Sequence, residues 1–371
     1  MTSVRTGRLS PAAWVGVSLV LIVLLLAPVI FSDFFYGVLL TRALWLGLVA
    51  MSVIFLASYG GMVSLAQVGL FGVAGFTMAN LVAADGGIPA AIDPWLAVIA
   101  GLGAAVVVGL IFGAIAARSE GIYFLMITLA FGVMVFYFFG QVTQLSGHGG
   151  VNNIEVPSII GDRVTDPAPL YYICLGVSAI AFLGVRYLAR TPFGLSLQGI
   201  RDDPTRMRAL GYHVTLHRMV AFGFAALIAA AAGILSVWYN RRIGPGSVNL
   251  GEVIDVLVIA VIGGLYRLQG AWVGAVAFVL LDNYSRSWTP DIGTVLGPDR
   301  FNTLLGLIFL AIVLVSPGGL VGLWERARDW LRAQFGRQAA RDGPGGPPRA
   351  GPGGEEGDPG PVAAADRPTV P

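Results

Sequence analysis

Apolar residues fall in long blocks along this chain, separated by short stretches rich in Gly, Pro, Asn, Asp and Arg. The blocks run Trp14–Phe31, Ala43–Tyr59, Leu65–Ala83, Trp95–Ala117, Ile122–Phe139, Leu170–Leu188, Val220–Tyr239, Val253–Ile262, Ala271–Leu281 and Thr303–Ser316. Most approach the roughly 20 consecutive apolar residues that a helix needs to cross the hydrocarbon core of a bilayer. The pattern predicts an all-α integral membrane fold of about ten transmembrane helices, the last three short or broken. Arg5 and Arg8 ahead of the first block also fit a signal peptide, but the block has spanning length and no small-x-small cleavage site follows. It is read as a membrane helix.

Arginine placement sets the orientation. The loop 189–218 carries Arg190, Arg201, Arg206, Arg208 and Arg218, with Arg186 just before it. Placing that loop in the cytoplasm puts both termini there, together with Arg5, Arg8, Arg118 and Arg267; the pair Arg241–Arg242 is a local exception on the outside. Residues 1–11 then form a cytoplasmic N-terminal segment and 12–324 the transmembrane domain. Residues 325–371 hold a short basic interfacial helix, Glu325–Gln338, with Trp330 and Phe335 as anchors, and then a Gly/Pro-rich tail with too little apolar surface to order itself.

Composition agrees and removes several function classes. Of 371 residues 56% are hydrophobic and 12% charged, with mean hydropathy +0.77; soluble domains run at about a quarter charged. A net charge of +2 gives no pull on nucleic acid. The one cysteine, Cys174, excludes an internal disulfide framework, and His148, His213 and His217 make no zinc pattern, so no metal site is expected. All 23 basic residues are arginine. Without lysine the chain has neither the phosphate-reaching residue of a P-loop nor a Schiff-base residue. It is expected to be no enzyme, to hold no cofactor and not to hydrolyse ATP itself.

Three patterns remain as candidate chemistry. Gly60-Gly61-Met62-Val63-Ser64-Leu65-Ala66-Gln67 breaks the chain between two blocks, with Gly69, Gly72 and Gly75 following at every third position. This reads either as a broken helix lining a polar pathway through Ser64 and Gln67, or as close helix packing with both side chains bonded to neighbouring backbone. A similar piece, Gly263-Gly264-Leu265-Tyr266-Arg267-Leu268-Gln269-Gly270, recurs late and hints at an internal duplication. In the arginine-rich loop, Thr191-Pro192 and Asp203-Pro204 are helix-start signals and Gly211 a stop, predicting helices Pro192–Arg201 and Pro204–Leu210. Phe193, Leu197 and Ile200 make an apolar stripe on the first, suited to a soluble partner or to lipid headgroups. Glu252 and Asp255 share a helix face near an outer membrane edge, and Thr128 lies mid-block; each is a candidate for the translocation pathway or, alternatively, a solvated or back-bonded residue.

Taken in order, five segments resemble the permease subunits of branched-chain amino-acid ABC importers, LivM type: Ser58–Gln67, Gly121–Gly132, Thr191–Gly211, Val261–Leu265 with Gly270, and Ser316–Leu323. The resemblance covers roughly residues 40 to 325 and departs at Met62 and at the outer segment Ser146–Ile154. It implies a bacterial cytoplasmic-membrane permease domain that works with a second, LivH-like permease, two cytoplasmic ATPase subunits that use the ATP, and an extracytoplasmic solute-binding protein. It makes Pro192, Phe193, Gly194, Leu197, Arg201, Ala209, Leu210 and Gly211 the ATPase-coupling loop, and Gly60, Gly61, Gly263 and Gly264 the helix breaks. Similar permeases carry urea or short amides, an alternative to branched-chain amino acids. A stand-alone secondary transporter or channel is the rival of another class. No apolar block carries a carboxylate, histidine or arginine near its centre, which argues against ion coupling. A membrane enzyme would have only His213 and His217 to build on.

Overall fold

Proline and polar caps begin several of the helices. In the structure, a computed structural model, Asp93 accepts from the Trp95 amide at 2.8 Å ahead of Pro94, Thr191 accepts from Gly194 at 3.3 Å ahead of Pro192, and Asp203 accepts from Arg206 at 2.9 Å ahead of Pro204. Each satisfies one of the amides that a helix start leaves without a partner. The structure describes residues 23–82, 92–143, 145, 149–157, 160–161, 166–288, 306, 319–320 and 322. Half of the Trp14–Phe31 block, all of Thr303–Ser316 but residue 306, the Glu325–Gln338 segment and the tail lie outside the described residues, as do Ser146, Gly147 and His148.

The helices are α1 (Phe35–Gly60, its first turn π-helical), α2 (Gln67–Val82), α3 (Pro94–Ala116), α4 (Ile122–Gln141) and α5 (Ala168–Leu188). Next come the two loop helices, α6 (Pro192–Asp202) and α7 (Pro204–Ala209), then α8 (Val214–Asn240), α9 (Leu250–Gly263) and α10 (Gly270–Trp288). Among the described residues there is no β-strand, only an isolated bridge between Val151 and Ile243. The predicted loop helices are present, each displaced by one residue at its C-terminus.

Among the described residues five helices, α1, α3, α4, α5 and α8, are long and apolar enough to cross a membrane; α2 and the Gly270–Asn283 part of α10 are shorter apolar helices. Their burial separates them into two roles. In α1 and α8 83% and 78% of the most apolar window is buried, against 28–33% in α3, α4 and α5. The first pair is the interior. The other three turn Ile99, Val107, Ile111, Met126, Ile180 and Leu183 outward, as helices facing lipid do. α8 packs on α1, α2 and α3; α2 also packs on α3 and α4; α10 packs on α1 and α9.

Small residues let these helices approach. A Cβ on Gly69 would lie 3.3 Å from the Gly132 Cα of α4, and one on Gly233 of α8 would meet the Phe71 carbonyl of α2. Gly72 and Gly75 face Val248 and Ile243. The three-residue glycine repeat therefore serves close packing against several different neighbours.

Candidate functional site

Two sites stand at opposite ends of the bundle. The first is built where α1 stops. Gly61 adopts φ 66°, a left-handed conformation that lacks steric penalty only for glycine, and Met62 donates back to Leu56 at 3.0 Å. The chain then runs outside any helix to α2. The Leu65 amide, left without a helical partner, donates to the Thr128 hydroxyl at 3.2 Å; that hydroxyl in turn donates to the Leu125 carbonyl at 3.0 Å. Ser64 accepts from Ala66 at 3.3 Å and from Gln67 Nε2 at 3.4 Å. Ser64, Gln67 and Thr128 are fully buried, and among the described residues the Gln67 Oε1 has no partner.

The second break is built the same way. α9 ends at Gly264 with φ 117°, and α10 starts at Gly270, so close to Gly263 that a Cβ on Gly263 would collide with the Gly270 carbonyl. The two breaks touch: Ser58 Oγ donates to the Leu265 carbonyl at 3.2 Å. From the arginine-rich loop, Arg201 Nη1 donates to the Ser58 carbonyl, and the Arg201 stem lies 2.6 Å from where a Gly61 Cβ would be. Gly319 closes the group, with no room for a Cβ beside the Gly264 backbone. Arg218, at the start of α8, pairs with Glu120 at 3.0 Å, and Arg208 reaches the same carboxylate at 3.8 Å.

Within the loop the apolar stripe turns inward. Leu197 and Ile200 are fully buried, and Phe193 stacks on His217 at 5.4 Å with the planes 9° apart. His217 is thus a packing partner of Phe193, and the pair with His213 places only its backbone carbonyl near the His217 ring. Gly194 sits at the corner between α5 and α6, where a Cβ would strike the Leu188 carbonyl. What faces outward is Leu195, Leu210, Tyr212 and Leu216, with Ala209 and Gly211 on the same exposed turn. Of the stripe Phe193, Leu197 and Ile200, the last two are fully buried and Phe193 is half-buried, while Leu195, on the other side of α6, is exposed.

The second site is a cavity of about 230 Å³ at the far end, lined by Arg42, Trp45, Tyr239, Asn240, Glu252, Asp255 and Phe278 among others. Arg42 Nη1 is paired with Asp282 Oδ2 at 2.6 Å, and Asp282 is 2% exposed. The apolar blocks start at Ala43 and stop at Leu281, but α1 and α10 run past both limits. An ion pair therefore joins two of the packed helices just beyond the limits of their apolar blocks, away from the centre of either block. Tertiary pairing offsets the cost that hydropathy alone assigns to these residues.

A family model described as the branched-chain amino acid transport system permease component matches residues 35–315. The chain belongs to this permease family. All five segments that carried the resemblance in the sequence meet at the first site: Ser58 and Leu65 from one, Thr128, Arg201, Leu265 and Gly319 from the others.

The permease is 25% identical over 237 residues to the high-affinity branched-chain amino acid permease protein LivM of Salmonella typhimurium, covering 57% of this chain and 54% of the relative. It is 25% identical over 247 residues to the LivM protein of Escherichia coli K12, covering 60% and 56%. It is also 28% identical over 200 residues to the autoinducer 2 import permease LsrC of Klebsiella pneumoniae, covering 52% and 54%. The chain thus spans about half the length of the curated relatives it matches. No solved structure matches it.

Of the residues singled out in the sequence, the structure brings Ser64, Gln67 and Thr128 together at the first break and leaves Glu252 and Asp255 at the other end. The Thr128 hydroxyl bonds the Leu65 amide of the break and the Leu125 carbonyl of its own helix. Ser58, Arg42, Asp282 and Trp45 were not singled out. Ser58 opens the first segment of the resemblance, and Arg42 and Asp282 each border an apolar block; those were the only signals.

Proposed function

We propose that this chain is the LivM-type permease subunit of a bacterial ABC importer for branched-chain amino acids. Its ten spans leave both termini in the cytoplasm, and its loop 189–218 receives the motion of two separate ATPase subunits that use the ATP. A second, LivH-like permease and an extracytoplasmic solute-binding protein complete the assembly, and the chain itself performs no catalysis and holds no cofactor.

The observation that carries this reading is the bond from Arg201 to the Ser58 carbonyl. It ties the surface loop to the end of α1 and, through Ser58 and Leu265, to the end of α9. A push on the loop then reaches both helix breaks at once, and rigid displacement of α1 and α9 alters the cavity that their far ends line. The exposed Leu195, Leu210, Tyr212 and Leu216 are the contact for the ATPases. Two alternatives keep the same fold. The LsrC relatives favour another solute for the same machine, as do the urea and amide permeases. The Arg42–Asp282 pair is the feature a stand-alone carrier would use.

Purification of the tagged chain from mild detergent, with identification of co-purifying chains and an ATPase assay, tests the reading. The expected result is a stoichiometric P-loop ATPase that is lost on substituting the exposed loop residues. A homogeneous chain that carries solute in liposomes without any ATPase overturns it.

A further inference from the structure

The cavity lined by Arg42 joins a second of about 380 Å³, lined by Gly149, Asn152, Arg242 and Gly246 among others; Asn240, Ser247 and Glu252 belong to both walls. We propose that these joined cavities bind a small solute through its protonated amino group, with Glu252 and Asp255 as the counter-charges, deepening the permease reading on which the solute's passage rests.

The charges on the wall of the first cavity, where the two carboxylates stand, point to a cation; Arg242 lines only the second. Glu252 and Asp255 stand on one face of α9, both half-buried, and among the described residues neither takes part in an ion pair. Arg42, the arginine of the first cavity, is already held by Asp282 at 2.6 Å. The start of α9 explains part of this. Asn249 caps the Glu252 amide at 2.9 Å, and a carboxylate in the first turn suits the helix dipole. Asp255 lies one turn further on and has no such support. Two carboxylates withdrawn from bulk water beside each other call for a positive group between them.

A second feature of the same wall points to the other end of the solute. Trp45 is over nine-tenths buried, and among the described residues its indole N–H has no hydrogen-bond partner. A buried donor of this kind lacks an acceptor that a ligand can supply. Val49, Val68, Phe71, Val256 and Phe278 complete the lining as an apolar surface. The chemistry is that of a solute with an ammonium group, an acceptor oxygen and a small apolar body. Neutral solutes such as urea would leave both carboxylates unpaired.

The test compares three probes of one carbon skeleton on the full-length chain, purified in mild detergent with its accompanying subunits, by calorimetry: leucine, 3-methylbutylamine and 4-methylpentanoate. Leucine and the amine are expected to bind, and the acid at least about tenfold more weakly. Glu252→Gln and Asp255→Asn, checked for unchanged thermal unfolding, are each expected to weaken leucine by about tenfold. Binding of the acid as tightly as the amine, or failure of the amine to bind, overturns the proposal on the unaltered protein. So does a folded double variant that binds leucine normally. The co-purifying ATPase is read from the same sample. An ATPase present with no preference for the amino group sinks this inference alone, and the preference without an ATPase sinks the importer reading alone.

Discussion

Arg201 of the loop helix α6 donates to the main-chain carbonyl of Ser58, one of the last four carbonyls of α1. Those carbonyls have no partner within their own helix and carry the negative end of its dipole, so a guanidinium there is held both by hydrogen bonding and by charge. Its side chain is also paired with Asp202 at 2.8 Å, which fixes its direction. Arg201→Ala is expected to leave assembly intact, leave ATP hydrolysis by the complex running and lower solute uptake by at least about tenfold. Arg201→Lys is expected to restore little, since a point charge cannot hold both partners in one plane. Uptake assays beside ATPase assays check this; wild-type uptake in the alanine variant would sever the link between the loop and α1.

Glycine substitutions separate required conformation from composition. Gly61→Ala places a side chain at φ 66° and against the Arg201 stem, and is expected to cost about 1–3 kcal/mol of stability. Gly103, on the outer face of α3, has nothing within 4 Å of a built Cβ, so Gly103→Ala is expected to gain about 0.5–1 kcal/mol from helix propensity. Thermal unfolding in detergent reads both, and equal shifts would remove the argument for Gly61.

Thr128 tests whether a mid-helix hydroxyl serves the pathway or the fold. Thr128→Ser keeps the acceptor for the Leu65 amide and is expected to behave as wild type. Thr128→Val strands that amide, at about 1–3 kcal/mol. Transport per folded molecule should be unchanged in both, and a loss beyond the folded fraction would return Thr128 to the pathway.

The Arg42–Asp282 pair is expected to behave as a coupled unit. Asp282→Asn or Arg42→Gln alone is expected to cost about 3 kcal/mol, the low end for a broken buried pair because the Arg42 side chain is 35% exposed. The double variant should recover part of that loss. A double-mutant cycle on unfolding midpoints measures the coupling, and strict additivity would show that the two charges do not support each other.

Leu195 and Leu197, two residues apart on α6, are expected to fail in different ways. Leu195 is 58% exposed and Leu197 fully buried. Leu195→Glu should fold and lose the ATPase on purification, whereas Leu197→Glu should fail to accumulate. Co-purification together with expression level distinguishes the two, and an ATPase retained in Leu195→Glu would move the docking surface elsewhere.

What the sequence determined by itself is local in origin. Blocks of apolar residues need a helix because no other local structure satisfies the backbone inside lipid, and that holds whatever the neighbours are. Thr191-Pro192 and Asp203-Pro204 start α6 and α7 through bonds three residues long, so both helices were legible to within a residue. Gly60-Gly61 and Gly263-Gly264 were legible as breaks because left-handed φ is a property of the residue. Only the tertiary structure decided which face of each helix meets what. A stripe of Phe193, Leu197 and Ile200 has the same spacing whether it meets a partner or the protein's own core; packing on the bundle chose the core. Hydropathy marks Arg42 and Asp282 as ends of their blocks, because it scores each charge alone. Across 240 positions of sequence the fold brings them to 2.6 Å, and the attraction that offsets their burial exists only in that contact.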